Sequence, residues 1–169
     1  KTTLARLFAR AINCSQRSAD SAEPCNNCEM CQQILAGRSM DIMEIDAATH
    51  TQVDNVRENI IANAQVPPYN SKGYKVFIID EVHMLTTEAF NALLKTLEEP
   101  ARGAILILVS DQSERMPATI LSRCQRITFG RPDLQQAMTW LTQNQKHPVE
   151  HLQQILMLAN GAPLAALKM

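Results

Sequence analysis

The chain has 169 residues with 16 Lys and Arg against 17 Asp and Glu, a formal net charge of −1; 46% of its residues are apolar and 4% aromatic. That length accommodates one full domain, or one domain with a piece of another, and the charge balance excludes a polybasic nucleic-acid tail and an acidic disordered protein. No window approaches the roughly 18 continuous apolar residues of a membrane span, and the opening Lys1-Thr2-Thr3-Leu4 has none of the features of a signal peptide.

The first helical pattern runs from Thr2 to Asn13, with Leu4, Leu7, Phe8, Ala11 and Ile12 at helical spacing. Ser15 to Pro24 is polar and breaks it. Asn27 to Ala36 reads as a short helix ended by Gly37. The alternation Asp41-Ile42-Met43-Glu44-Ile45-Asp46 predicts a strand. Helical spacing returns from Val53 to Ala64, and Pro67-Pro68-Tyr69-Asn70-Ser71-Lys72-Gly73 is a loop. Tyr74 to Ile79 is a run of the kind that fills buried parallel strands. Thr86 to Glu98 predicts an amphipathic helix with Phe90, Leu93, Leu94 and Leu97 inward, stopped by Pro100. A second buried strand follows at Ile105–Val109, then a short helix at Pro117–Leu121 and a short strand at Gln125–Phe129. Three helical patterns close the chain, at Leu134–Thr142, Val149–Ala159 and Pro163–Met169. Strands alternate with helices up to Phe129 and only helices follow. This order predicts an α/β fold, a parallel sheet covered on both faces, followed by the start of a helical lid.

Four of the five cysteines form the pattern Cys14-x10-Cys25-x2-Cys28-x2-Cys31. A C-x-x-C turn brings two sulfurs to one side, and two such turns overlap here, which suits the four thiolates of a tetrahedral zinc site. With no His and no open position, that site is structural. Free or redox-active thiols are the alternative. Disulfides need an oxidising compartment and an export signal, and adjacent C-x-x-C pairs are awkward partners for several separate bridges. Cys124 reads as a small buried hydrophobe.

Val76-Phe77-Ile78-Ile79-Asp80-Glu81 delivers two adjacent carboxylates to the end of a buried strand, where α/β sheets bind their ligands. An Asp there can hold Mg²⁺ and a neighbouring Glu can polarise or deprotonate a water. Two solvated loop carboxylates are the plainer alternative. Lys1-Thr2-Thr3 matches the last residues of a phosphate-binding loop that runs into a helix: Lys1 would reach the β- and γ-phosphates of a nucleotide and Thr2 would ligate Mg²⁺. The helix amides after it would favour an anion.

Asp80-Glu81-Val82-His83-Met84-Leu85, Phe90 to Pro100 (FNALLKTLEEP), Ile120-Leu121-Ser122-Arg123-Cys124, Ile45-Asp46-Ala47-Ala48 and the four-Cys insert together resemble the bacterial clamp-loader ATPases of DNA polymerase III, gamma/tau subunit. The resemblance covers nearly the whole chain. It implies an AAA+ module, an ATPase that works in an arc of clamp-loader subunits, opens a sliding clamp and releases it on primed DNA. It implies ATP, Mg²⁺ and Zn²⁺ as cofactors, and the other subunits, the clamp and primer-template DNA as partners, with no membrane and a cytoplasmic setting. By position, Lys1, Thr2 and Thr3 bind the nucleotide, Asp80 holds magnesium and Glu81 is catalytic. Ser110 falls at the sensor-1 position. Arg123 falls at an arginine finger that acts in trans, for which a surface ion pair is the alternative. Residues 1–129 would then form the AAA+ core, lacking its first strand and phosphate-loop glycines, with a zinc module at 14–37, and 130–169 an incomplete lid.

Two positions depart from the family pattern. Sensor 1 is usually Thr or Asn, and the lid should carry Gly-x-x-Arg where this chain has Gly161-Ala162-Pro163-Leu164. That ending, with Leu108 to Gln112, is closer to the paralogous delta-prime subunit, which offers its finger without hydrolysing ATP. His83 is taken as a structural or supporting residue. Lys95, Glu98 and Glu99 read as the solvated side of a core helix, and Met40, Met43 and Met84 as core filler. The scattered aromatics form no platform for stacking bases, which argues against a zinc-ribbon nucleic-acid binder.

Overall fold

The computed structural model describes residues 2–18, 20–49, 56, 60–70, 73–130, 132–144 and 149–167. They fall into two compact units, 1–126 and 127–169. The first contains helix α1 (Thr2–Ile12), α2 (Glu29–Leu35), strand β1 (Ile42–Asp46), a helical turn α3 (Ala62–Ala64), β2 (Lys75–Asp80), α4 (Thr87–Glu98), β3 (Ala104–Leu108) and the short α5 (Ala118–Leu121). The second contains α6 (Leu134–Asn144), α7 (Val149–Leu158) and α8 (Pro163–Ala166). Much of the Val53–Ala64 pattern lies outside the described residues, as do Lys1 and Lys168.

The three strands are parallel in the order β1-β2-β3. Ile42 pairs with Val76 and Asp46 with Asp80; Lys75 pairs with Ala104 and Ile79 with Leu108. The central strand β2 is buried from Lys75 to Ile79. Its side chains alternate between two cores, as period-2 geometry requires. Val76 and Ile78 pack with Ala5 and Ala9 of α1. Phe77 and Ile79 pack with Ile60, Ala64, Ala89, Phe90, Leu93 and Ile120 on the opposite face. Both faces of the sheet are therefore covered.

Helix α1 differs from its sequence reading in one respect. Its buried face is the small-residue stripe Ala5 and Ala9, whereas Leu4, Leu7 and Phe8 are exposed. Alanines let the helix backbone approach the sheet closely, so the stripe that faces β2 is the less hydrophobic one. The far end of α1 is tied down by Asn13, which is 3% exposed. Its Oδ1 accepts from the Tyr74 amide at 2.7 Å and its Nδ2 donates to Ala9 O at 3.0 Å. Gly73 makes this possible, because a Cβ there would stand 2.6 Å from Asn13 Oδ1. Asp41, at 2% exposure, plays a similar part for the preceding loop: its carboxylate accepts from the amides of Tyr69 and Asn70 at 2.7 and 3.0 Å.

Helix α4 starts where Thr86 caps it, with Oγ1 accepting from the Ala89 amide at 3.2 Å. It buries Ala89, Phe90, Leu93 and Thr96, with Leu94 and Leu97 partly covered. Gln125–Phe129 is not a strand. Ile127 and Phe129 are 70% and 56% exposed and find no ladder partner among the described residues; alternation alone does not make a strand where no sheet edge receives it. Met40 and Met84 are also exposed and only Met43 packs against the core. In the second unit, Ala137, Leu141, Leu152, Leu156 and Ala166 form a separate small core.

Replacing Asn13 with Ala leaves the part-buried Tyr74 amide without its acceptor. The intact protein is expected to lose about 1–3 kcal/mol of stability. A fall in urea midpoint at unchanged m-value would report it.

Candidate functional site

Strand β2 cannot continue past Asp80 without losing its cover, and the backbone turns sharply there. Glu81 adopts φ 48° and ψ 38°, the left-handed region. For a residue with a Cβ this conformation costs on the order of 1–2 kcal/mol, so surrounding bonds must hold it. Asp80 Oδ1 accepts from the Glu81 amide at 3.0 Å. Val82 N donates to Val109 O at 3.0 Å and Met84 N to Glu81 O at 2.8 Å, closing the turn Val82–Met84 against the end of β3. Strain of this kind gathers where side chains must be aimed.

Thr2 reaches this turn from α1. Its Oγ1 donates to Asp80 Oδ2 at 2.5 Å, joining residues 78 apart in sequence. Thr3, on the same helix, is exposed. On the other side of Glu81 sits the buried His83 ring, whose side chain is 3% exposed. Its Nδ1 lies 3.5 Å from Glu81 Oε2 and 3.1 Å from Ser110 Oγ, and its Nε2 lies 3.7 Å from Asp111 Oδ1. Ser110 Oγ also accepts from the Gln112 amide at 3.0 Å. The structure thus gathers Thr2, Asp80, Glu81 and Ser110 at the carboxyl ends of two adjacent strands. His83 and Asp111 complete the group. Sequence reasoning took His83 as a structural or supporting residue and did not single out Asp111, although it directly follows Ser110.

Arg123 stands apart from this group, with no hydrogen bond or ion pair to it among the described residues. Its Nε and Nη2 bond Glu98 Oε1 at 2.8 and 2.5 Å, and its Nη1 donates to Thr119 O at 2.8 Å. The surface ion pair weighed from the sequence is therefore present, and Glu98 is the partner sequence reasoning left as solvated charge.

The thiols of Cys14, Cys25, Cys28 and Cys31 lie within 4.8 Å of one another and are not disulfide-linked. Cys14 Sγ and Cys28 Sγ are 3.9 Å apart. Four sulfurs about 2.3 Å from zinc span edges of about 3.8 Å, so the donor set fits that ion. The Cys28 amide points at Cys25 Sγ (3.3 Å), and the Cys31 amide at Cys28 Sγ (3.5 Å), capping α2. Burial pushes the Cys28 thiol up, but hydrogen bonds from Ser15 and the Cys31 amide overcome this and hold it at about 5. Cys31 is pushed up to about 12 by burial and by its bonds with Cys28 and Cys14. At Cys14 burial is likewise outweighed, by the Cys25 and Gln16 amides, and the net shift is downward. Crowded sulfurs cannot all be ionised without a cation among them. Cys124 is partly buried against the main core and burial raises its pKa.

A parallel sheet covered by helices, with Thr2, Asp80 and Glu81 converging at its carboxyl end, is the place where α/β proteins bind their ligands. Solved structures share this fold. A DNA polymerase III gamma subunit-related protein from Thermotoga maritima aligns with 99% of this chain and 57% of its own, at TM-score 0.59 and 21% identity. A point variant of Thermotoga maritima RuvB aligns with 75% of this chain and 43% of its own, at TM-score 0.57 and 14% identity. The family described as DNA polymerase III, delta subunit matches residues 1–133. DNA polymerase III subunit tau of Bacillus subtilis is 49% identical over 131 residues, 78% of this chain and 23% of that protein. The Escherichia coli tau subunit is 40% identical over 152 residues, 90% of this chain and 22% of that protein. The chain belongs to the gamma/tau family of DNA polymerase III clamp-loader subunits. It spans less than a quarter of the length of these two tau relatives.

Because the Glu98–Arg123 pair is partly open to water, it contributes at most about 1 kcal/mol to folding. Glu98→Gln is expected to shift the unfolding free energy by no more than that in denaturant titration.

Proposed function

We propose that this chain provides a Mg²⁺–ATP site in a DNA polymerase III clamp loader and acts there as an AAA+ ATPase. The observation that carries this reading is the 2.5 Å contact between Thr2 Oγ1 and Asp80 Oδ2, with Glu81 held beside it. A hydroxyl and a carboxylate, part-buried and brought from two elements, are the hard oxygen donors that magnesium takes. Thr2 and Asp80 would hold the ion, which when bound neutralises charge on the β- and γ-phosphates. Lys1, assigned from the sequence, reaches those phosphates, and Thr3 offers its backbone amide to them. Glu81 polarises the attacking water and takes its proton. Ser110 presents its hydroxyl to the γ-phosphate. Arg123 leaves Glu98 to act on the ATP site of a neighbouring subunit, where it stabilises the charge of the transferring phosphoryl group.

In the assembly, ATP binding lets the subunit arc open a sliding clamp, and contact with primer-template DNA triggers hydrolysis and clamp release. A chain of net charge −1 leaves DNA contact to the assembly. Residues 1–129 serve as the nucleotide-binding core and 130–169 as part of the lid, in the cytoplasm. No helix among the described residues is long and apolar enough to cross a membrane. The four thiols hold a structural zinc that fixes the 14–37 module. A delta-prime-like, non-hydrolysing role draws on Leu164, 65% exposed where the lid pattern calls for Arg. Relatives at 40–49% identity that carry the names tau and gamma support the hydrolysing role instead.

In the assembled clamp loader, Glu81→Gln is expected to keep ATP affinity and lose at least about 100-fold in turnover. Equilibrium binding and steady-state hydrolysis check this, and unchanged turnover would remove Glu81 from its role. Metal analysis should find one zinc per chain. Cys25→Ser with Cys28→Ser should abolish it and lower thermal stability; an equally stable, metal-free wild-type protein would contradict the assignment.

A further inference from the structure

We infer that Glu98 is a latch on Arg123. It holds the guanidinium back on its own subunit, so that Arg123 reaches a neighbouring ATP site only by exchanging the Glu98 carboxylate for a phosphate. The inference rests on the trans role proposed above for Arg123 and adds a second residue to it, one that sets how often the arginine is available.

Three observations carry it. First, the guanidinium is held on two sides. Its Nε and Nη2 both donate to Glu98 Oε1, at 2.8 and 2.5 Å, and its Nη1 donates to Thr119 O at 2.8 Å. Thr119 belongs to α5 and precedes Arg123 by four residues, so the side chain is folded back over its own helix. Second, the contact is set by packed elements, not by the random meeting of two long side chains. Glu98 is the last residue of α4 and follows Leu97; Arg123 stands just past α5, between Leu121 and Cys124. Leu97, Ile120, Leu121 and Cys124 all pack into the same core. Third, the pair is open to an incoming partner, with the Arg123 and Glu98 side chains 34% and 47% exposed. An exchange of partners there needs no unfolding of the surface around it.

The donors dictate the exchange. Nε and Nη2 form the edge with which a guanidinium grips carboxylates and phosphates side-on, and Glu98 occupies that edge. Extending Arg123 toward a neighbour therefore breaks both the Glu98 pair and the bond to Thr119 O. A phosphate offers the same kind of oxygen acceptor with more negative charge, so it displaces the carboxylate once it is within reach. When the phosphate leaves, Glu98 takes the guanidinium back. Glu98 thus lowers the share of extended Arg123 by the equilibrium weight of an exposed ion pair, about two- to fivefold.

The test is ATP turnover by the assembled clamp loader in the absence of DNA. Glu98→Gln keeps the shape of the side chain and removes its charge. It is expected to raise kcat about two- to fivefold, with KM for ATP within about twofold, because Glu98 bonds no residue of its own nucleotide site among those described. Arg123→Ala is expected to lower turnover about 1,000-fold or more, and Glu98→Gln is expected to add nothing in that background. A merely structural disturbance at the end of α4 would lower turnover, and would do so with or without Arg123. An unchanged or lowered kcat in Glu98→Gln, or the same rise in the Arg123→Ala background, would overturn the inference. Wild-type turnover in Arg123→Ala overturns the trans role of Arg123 and this inference with it. An inactive Arg123→Ala assembly beside a Glu98→Gln assembly of wild-type rate overturns the inference alone.

Discussion

Strand β2 is covered on both faces from Lys75 to Ile79 and paired on both edges, and from Val76 to Ile79 every side chain it buries is apolar. Its first exit to solvent is at Asp80. This constraint puts Asp80 and Glu81 side by side at the sheet's carboxyl end and forces the turn that follows. The left-handed backbone at Glu81 is the local cost, and it is met by a closed set of bonds from Asp80, Val109 and the turn itself. The same turn carries His83 inward, between the ends of β2 and β3, so the imidazole is as much a product of the burial of β2 as the carboxylates are.

The second half of the site depends on α1. A helix that rests on β2 through alanines lies close to the sheet, and Asn13 pins its far end to the start of the strand. Thr2 at the start of this helix then meets Asp80, as the two motifs read from the sequence had implied. The cysteine cluster stands directly after α1 and caps α2, so a metal there ties α2 to the end of the helix that carries Thr2. Packing, capping and the thiol cluster thus all act on one distance, that between a threonine at the start of α1 and an aspartate at the end of β2.

Much of this was legible in the sequence, for physical reasons. The runs Tyr74–Ile79 and Ile105–Val109 announced two strands, of which β2 is buried and β3 only partly so, and Thr86–Glu98 announced the helix α4. The overlapping C-x-x-C spacing announced a thiol cluster because short spacing dictates geometry almost by itself. What failed to show was tertiary. Gln125–Phe129 alternates like a strand, but no edge accepts it. The bulky stripe Leu4, Leu7 and Phe8 drew attention away from the alanine face that packs. His83, Asp111 and Glu98 gained meaning only when β3 and α5 were brought beside them, since each contact spans tens of residues.

The most direct measurement is the magnesium dependence of ATP affinity in the assembled protein, wild type against Thr2→Val. Valine keeps the shape of threonine and removes the hydroxyl that meets Asp80. If Thr2 and Asp80 form the metal–nucleotide site, affinity without magnesium should be the same in both, and the gain on adding magnesium should be largely lost in Thr2→Val. An undiminished magnesium gain in Thr2→Val would contradict the account.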